Sequence, residues 1–319
     1  MCTAITYKTK DIYFGRTLDL EYHYRENVTV TPRRFDFSFQ QKCHYAIIGI
    51  ATVEENYPLY YDAVNEKGLC MAGLAFWNSA KYNKICIDRD NIASFEFIPW
   101  ILSQCGSVGD ARALLGNINI TDTAFSKEFP PSPLHWMIAD SEGAIVVEST
   151  VAGIKIYENP IGVLTNEPSF EYHMTNLNNY INLTPSEPVC RFGEGSDLKP
   201  YSRGMGAIGL PGDNSSQSRF VRAAFTKLNS VSGESENESV CQFFHILSTV
   251  SQTRGCVRVG DKLERTVYTS CCNADKGIYY YTTYENSRVV GVDMHREDLD
   301  GDNLVSYPLK YESEIEVLN

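Results

Sequence analysis

The chain has little of what marks membrane, nucleic-acid-binding or disulfide-stapled proteins. Its longest apolar stretch, Tyr45 to Val53, is nine residues and is broken by a glycine, far below the roughly 18 to 20 residues that cross a bilayer. It has no basic stripe: 28 Lys and Arg stand against 40 Asp and Glu, a net charge of −12 scattered along the chain, which argues against a phosphate backbone as partner. Neither C-x-x-C nor H-x-x-x-H occurs among ten cysteines and six histidines, so a zinc site has no support. The opening Met-Cys-Thr-Ala-Ile-Thr-Tyr-Lys has no apolar h-region and no small-residue cleavage site, and reads as a strand of a cytosolic protein.

What is present is ordinary globular composition, 43% hydrophobic and 12% aromatic with 22 Gly and 13 Pro, which excludes a disordered or collagen-like chain. At 319 residues a large core is available, and with no repeat or linker-like break the expectation is one domain over 1–319. Ten cysteines are too sparse for a disulfide framework. Cys43, Cys70, Cys86, Cys105, Cys190, Cys241 and Cys256 stand singly and read as small reduced core side chains, and the adjacent Cys271 and Cys272 must point to opposite faces of a strand.

Periodicity predicts strands at Thr3–Tyr7, Ile12–Leu18, Val28–Thr31, Ala46–Thr52 and Leu69–Phe76. Two helices are expected next, one capped by Ser94, the other opened by Ser107 with Asp110 three residues on and closed near Gly116. Strands follow at Leu134–Ala139, Ala144–Ser149 and Ile154–Tyr157, then helices at Tyr172–Tyr180, Ser218–Leu228 and Val240–Val250. The end returns to strand at Thr266–Cys272, Gly277–Tyr284 and Val289–Met294. Runs of strands alternating with runs of helices fit an α+β fold of two antiparallel sheets covered by helices on their outer faces. Ile181 to Ser215, rich in Pro, Gly and Ser, reads as a long loop of the kind that carries function.

Several motifs have plain explanations. Gly204-Met-Gly206-Ala-Ile-Gly209 matches G-x-G-x-x-G but lacks the strand before and helix after that a nucleotide loop needs. Asp298-Leu-Asp300-Gly-Asp302 lacks the ligand spacing of a calcium loop and reads as a surface turn. His135, between Leu134 and Trp136, reads as a hydrogen-bonded histidine in a half-buried strand.

Cys2 is different. Removal of Met1 would leave a thiol and a free α-amine on one residue, and an α-amine, with an ordinary pKa of about 7.7–8.0, serves as a general base at neutral pH without a histidine. Tyr13 to Asp19 is predicted to pair with the first strand and brings Arg16, which favours a thiolate, and Asp19, which accepts a hydrogen bond from thiol or ammonium. Arg16 and Asp19 differ in parity, so a twist or bulge is expected to bring both to one site.

With these residues in place the chain resembles the choloylglycine hydrolase family, the bile salt hydrolases and penicillin V acylases, which are N-terminal nucleophile amidases. The resemblance rests on Met1-Cys-Thr3, Phe14-Gly-Arg-Thr-Leu-Asp19, Asn65-Glu-Lys-Gly68, Leu134-His-Trp136, Gly162-Val-Leu-Thr-Asn-Glu-Pro168, Gly209-Leu-Pro-Gly-Asp213, Ser218-Arg-Phe220, Phe244-His-Ile246 and Tyr268-Thr-Ser270, ordered over essentially the whole chain. It implies a four-layered αββα sandwich, a cytoplasmic homotetramer without cofactor or metal, and Cys2 as nucleophile with Arg16 and Asp19 as its electrostatic partners. By the same resemblance Asn166 is the side-chain donor of an oxyanion hole and Arg219 a second arginine of the site. Where the family usually has Asn (bile salt hydrolases) or Tyr (penicillin V acylases), this chain has Ala75; its backbone N–H keeps the oxyanion role, but the residue no longer separates the two substrates.

The expected activity is hydrolysis of glycine- or taurine-conjugated bile salts, with Leu18 and the loop residue Arg203 as substrate-binding residues. The alternatives are a penicillin V acylase or another N-acyl amidase, and, from a different class, a noncatalytic steroid- or lipid-binding protein. The presence of Cys2, Asp19, Asn166 and both arginines argues against the last.

Overall fold

Strands Ile12–Leu20 and Lys262–Asn273 are buried along almost their whole length, which requires a sheet covered on both faces. A computed structural model, which describes residues 1–39 and 44–319, shows that cover. Cys43 lies outside the described residues. One antiparallel sheet runs in the order Val163–Leu164, Cys2–Lys8, Ile12–Leu20, Lys262–Asn273, Ile278–Thr283 and Val290–Asp293, with Val257–Val259 paired beside Lys262–Asn273. The other runs Gly153–Glu158, Ala144–Thr150, Leu134–Ala139, Cys70–Ala75, Tyr57–Asn65, Ile47–Glu54, Asn27–Thr31 and Val305–Pro308.

Period-two alternation sorts the second sheet between two cores. Met137 and Val146 face the first sheet, in a cluster that continues through Phe14 and Leu18 to Phe220 and Phe243 of helices Ser216–Asn229 and Glu236–Ser248. Trp136, Ile138, Ile145 and Val147 face the other way, against Phe97 and Ile101 of helix Phe97–Gln104 and Ala111 of helix Val108–Leu115. The layers are therefore helix, sheet, sheet, helix, as expected. Cys271 and Cys272 are both buried, one on each face of a strand in this sandwich. Cys70 and Cys105 are core side chains too, but Cys86, Cys190, Cys241 and Cys256 are exposed, in loops and on a solvent-facing helix position, which corrects the expectation for those four.

Other expectations shift by local chemistry. Ser107 accepts from the Asp110 N–H at 3.1 Å and caps its helix. Ser94 caps nothing: the helix begins at Phe97, and the Glu96 carboxylate accepts from the Ala93 N–H instead. The last long helix starts four residues before its predicted beginning, on a reciprocal capping box of Ser235 and Glu238. Strand Tyr57–Asn65 is the main element the sequence reading misses. It follows a two-residue turn of Glu55 and Asn56, at φ 49° and 60°, a hairpin geometry that glycine usually announces.

Ile181 to Ser215 is irregular, with one short 3-10 turn, Met205–Ala207, inside the glycine motif. In the turn after Asp298, Asp300 pairs with Arg33 at 2.9 Å. Among the described residues no group of three or more His, Cys, Asp or Glu is placed to hold a metal ion, and no helix is long and apolar enough to cross a membrane.

Candidate active site

Cys2 begins the first strand, and its register places Cys2 opposite Leu18, Thr3 opposite Thr17 and Ala4 opposite Arg16. Directly opposed residues share a face, so Cys2, Leu18 and Arg16 look toward the second sheet, whereas Thr3, Thr17 and Asp19 look toward helix Ser216–Asn229. This corrects the expectation that a bulge unites Arg16 and Asp19. A bulge is present, at Val267 of the partner strand, where pairing passes from Asp19–Thr266 to Leu18–Tyr268, but the two side chains stay on opposite faces. They flank the Cys2 end of the strand from both sides.

Arg16 is fully buried in a fork of the second sheet. Pairing between Tyr57–Asn65 and Cys70–Ala75 stops at Asp62–Ala72, and Tyr61 is bulged out of the register with Ile47–Glu54. Into this opening Arg16 Nη1 donates to the carbonyls of Tyr61 at 3.1 Å and Gly73 at 2.5 Å, and Nε donates to the Thr17 carbonyl at 3.2 Å. Its Nη2 has no hydrogen-bond partner among the described residues. Burial works against the charge, but Cys2, Tyr268, Asp62 and Asp19 outweigh it and hold the guanidinium above its usual range. Behind it lies Asp62, which accepts from the hydroxyls of Tyr268 at 2.7 Å and Ser270 at 2.9 Å and from Tyr279. Burial raises the Asp62 carboxyl, with Arg16 and the hydroxyls opposing.

Asn166 closes the fork. Its Oδ1 accepts from the Cys2 N–H at 2.8 Å and from Arg219 Nη2 at 2.7 Å, and its Nδ2 donates to the Ala75 carbonyl at 2.9 Å. Its backbone is held as well: its N–H donates to Ser216 Oγ at 2.8 Å and its carbonyl accepts from His173 Nε2 at 2.8 Å. His173 is buried and stacked on Phe220, and burial lowers its pKa to about 4. His135, fully rather than half buried, donates from Nε2 to the Thr165 carbonyl at 2.9 Å, so two histidines support the Thr165–Asn166 dipeptide. The Phe76 N–H donates to the Pro133 carbonyl, which makes Ala75–Leu134 a non-hydrogen-bonded pair and turns the Ala75 N–H toward the fork.

On the other face Arg219 is fully buried and donates from Nη1 to the Cys2 carbonyl at 2.5 Å and to Thr3 Oγ1 at 2.6 Å. Burial lowers its pKa, against the charges of Asp19, Cys2 and Glu264. The Asp19 carboxylate accepts from Thr266 Oγ1 at 2.6 Å and Thr17 Oγ1 at 3.2 Å. Met1 continues the strand: the Asp19 N–H donates to its carbonyl, and its ammonium donates to the Asp19 carbonyl at 2.5 Å and Glu264 Oε1 at 2.9 Å.

Cys2, Leu18, Arg16, Asp19, Ala75, Asn166 and Arg219 thus converge on one strand end. Arg203 does not join them; it is exposed in the loop, and no hydrogen bond or ion pair among the described residues ties it to the site. A cleft of about 430 Å³ lined by Thr6, Lys8, Asp140, Glu158 and Lys227 opens toward the far end of the first strand and includes none of these residues.

Among the contributors that sequence reasoning missed are Asp62, His173, the Tyr61 and Gly73 carbonyls, Glu264, and Glu167. The last accepts from the N–H groups of Asn78 and of Ser79, the latter at 2.9 Å, and so ties the turn after Ala75 to the residue beside Asn166. None of these had a legible signal: Glu264 stands among Lys262, Arg265 and Thr266, where a charged residue reads as exposed.

Two antiparallel sheets face to face under helices, with Cys2 at the start of an inner strand, define an αββα sandwich with its candidate nucleophile at a strand end. Residues 2–307 match the model of linear amide C–N hydrolases, choloylglycine hydrolase family, and the chain belongs to that family. It is 53% identical to a bile salt hydrolase/transferase of Lactiplantibacillus plantarum over all of both chains, and 36% identical to a conjugated bile acid hydrolase of Lactobacillus gasseri over 96% of this chain and 100% of that protein. A crystal structure of the conjugated bile acid hydrolase from Clostridium perfringens superposes with a TM-score of 0.91 at 37% identity, covering 100% of both chains. The penicillin V acylase of Agrobacterium tumefaciens, at 21% identity and TM-score 0.74 over 96% of this chain and 90% of that one, shares the fold.

Proposed function

We propose that the chain hydrolyses conjugated bile salts through Cys2 after loss of Met1. The observation that carries the reading is the convergence of Asn166, Arg219 and Cys2 on one hydrogen-bonded cluster, with Ala75 and Arg16 at its edge.

In this mechanism the Cys2 α-amine takes the thiol proton and the thiolate attacks the amide carbonyl carbon. Arg16, on which Cys2 exerts the largest charge effect, stabilises the negative charge of the sulfur. The oxyanion is held by the second N–H of Asn166 Nδ2 and by the Ala75 N–H, preorganised donors worth about 3–4 kcal/mol each. The ammonium then gives its proton to the leaving nitrogen, the C–N bond breaks, and a water deprotonated by the freed amine hydrolyses the thioester. Asp19 orients the amine's end of the strand, and Arg219 fixes the Cys2 carbonyl.

The substrate in this reading has a rigid apolar acyl body and an anionic glycine or taurine tail. Trp77, 63% exposed two residues beyond Ala75, offers an apolar surface beside the oxyanion groups. Leu18, opposite Cys2, contributes apolar wall, and Arg203 meets the tail, offsetting the net charge of −12 that repels such anions. The processed chain works as one domain, in the cytoplasm, as a homotetramer. For the assembly the support is the loop 181–215, whose Ile181, Val189, Phe192, Leu198, Tyr201 and Ile208 are exposed and would be covered by a second copy.

The test is to incubate the purified protein with glycocholate, taurocholate and penicillin V and to assay released glycine, taurine and 6-aminopenicillanic acid. Release of the amino acids well above that of the penicillin product is expected. Faster cleavage of penicillin V would overturn the substrate, and no cleavage of any amide would overturn the activity.

A further inference from the structure

Glu264 is a carboxylate that the mechanism above leaves without a task. It stands on strand Lys262–Asn273, two residues before the Thr266 that pairs with Asp19, and is only 4% exposed. Its Oε1 accepts from the Met1 ammonium at 2.9 Å, and the Asp19 carbonyl accepts from the same ammonium at 2.5 Å. Burial raises the carboxyl's pKa, with the ammonium pulling it back. The chain therefore carries a built ammonium site one residue beyond its nucleophile, occupied by its own N-terminus.

We propose that Glu264 is a positioning residue that, once Met1 is gone, holds the α-ammonium of Cys2 and sets the pH at which that amine acts as base. The inference rests on the reading that Met1 is removed and that the Cys2 amine is the base. Hydrolysis of the Met1–Cys2 peptide adds one water, releases methionine and creates the new amine one residue along, at most about 3.8 Å per residue of chain from the old one. That is within reach of the Glu264 side chain, directly or through one water. Without a cation there, the buried carboxylate would lose its hydrogen-bonded counter-charge and keep only the influence of Arg219, a costly arrangement that favours recapture of an ammonium.

The other charges around that nitrogen show why a second carboxylate matters. Strand Ile12–Leu20 presents Arg16 and Asp19, and helix Ser216–Asn229 presents Arg219. The loop carrying Asn166 presents only a neutral amide, and strand Lys262–Asn273 adds the neutral Thr266 beside Glu264. Two buried guanidiniums disfavour an ammonium, and the Asp19 carboxylate is engaged by two threonine hydroxyls. Glu264 offsets them. Its removal should let the amine lose its proton more readily, so that the base form persists to lower pH.

The experiment compares wild type, Glu264→Gln and Glu264→Asp, each shown by intact mass to begin at Cys2. The readouts are the pH profile of kcat/KM for an amide substrate and, independently of any substrate, the pH dependence of Cys2 alkylation by iodoacetamide. For Glu264→Gln the acid limb of both profiles is expected to move down by about one pH unit, the lower end of the effect of an opposite charge at this range. Glu264→Asp keeps the charge one methylene farther away and should move it the same way by less; it also serves if the Gln variant does not fold. A correctly processed variant whose acid limb coincides with that of wild type overturns the proposal alone. Full activity in a preparation that retains Met1 overturns the underlying reading, and this proposal with it.

Discussion

Asn166 Oδ1 lies 2.8 Å from the Cys2 nitrogen and 2.7 Å from Arg219 Nη2. Two donors converge on that oxygen and a carbonyl faces the amide nitrogen, so the partners themselves fix which way the amide points. One N–H of Nδ2 remains for a ligand. Asn166→Ala should lower kcat by roughly 100-fold or more with little change in KM, the signature of a lost oxyanion donor. Steady-state kinetics decide it: a rise in KM at constant kcat would make Asn166 a binding residue only.

Cys2 is buried at a strand end, and replacing it by alanine removes a single sulfur atom from the core. Cys2→Ala should abolish turnover with an unchanged circular dichroism spectrum and melting temperature, and Cys2→Ser should be strongly impaired because a hydroxyl is far less ionised than a thiol. The mature wild type should weigh one methionine less than the translated chain. A tenth of wild-type activity in Cys2→Ala would place the nucleophile elsewhere.

His173 supplies a pH signature for the support of Asn166. Its ordinary pKa near 6.5 falls to about 4 on burial, so between those values the unfolded chain binds a proton that the folded one excludes. A group lowered by folding stabilises above its unfolded pKa, and that stability is lost as pH falls from 6.5 toward 4. Between pH 7 and pH 5 the loss should be about 2 kcal/mol. Urea denaturation of wild type and His173→Gln at both pH values measures it: the variant should lack most of this fall, and parallel curves would remove the histidine as its source.

The tail of the substrate should read Arg203. A planar, permanently charged side chain can offer a taurine sulfonate several donors, so taurocholate should be cleaved at least as efficiently as glycocholate. Arg203 is exposed, and its contact in a wet groove should be worth about 1 kcal/mol. Arg203→Ala should therefore lower kcat/KM several-fold, mainly for taurocholate. An unchanged ratio between the two substrates would leave Arg203 a solvated loop residue.

Much of the site is legible in the sequence. A cysteine behind the initiator methionine, with Arg16 and Asp19 on the predicted partner strand and Asn166 and Arg219 in matching motifs, required only local reading and a resemblance. The histidines were harder. His135 had no neighbour in sequence to explain it, and His173 carried no signal, because both act on Thr165 and Asn166 from other elements.

By itself the sequence determined the alternation that builds two sheets, the helices that cover them, and the chemistry concentrated at residue 2. These depend on side-chain period and on functional groups, which are properties of short segments. Tertiary structure alone decided that no bulge in Ile12–Leu20 brings Arg16 and Asp19 back to one face, that an unforeseen strand at Tyr57–Asn65 parts from Cys70–Ala75 to admit Arg16, and that Glu264 lies 2.9 Å from the first nitrogen of the chain. The reason is register: strand parity says which residues share a face, but which distant strand pairs alongside, and where that pairing bulges or ends, is fixed by packing of segments up to 285 positions apart.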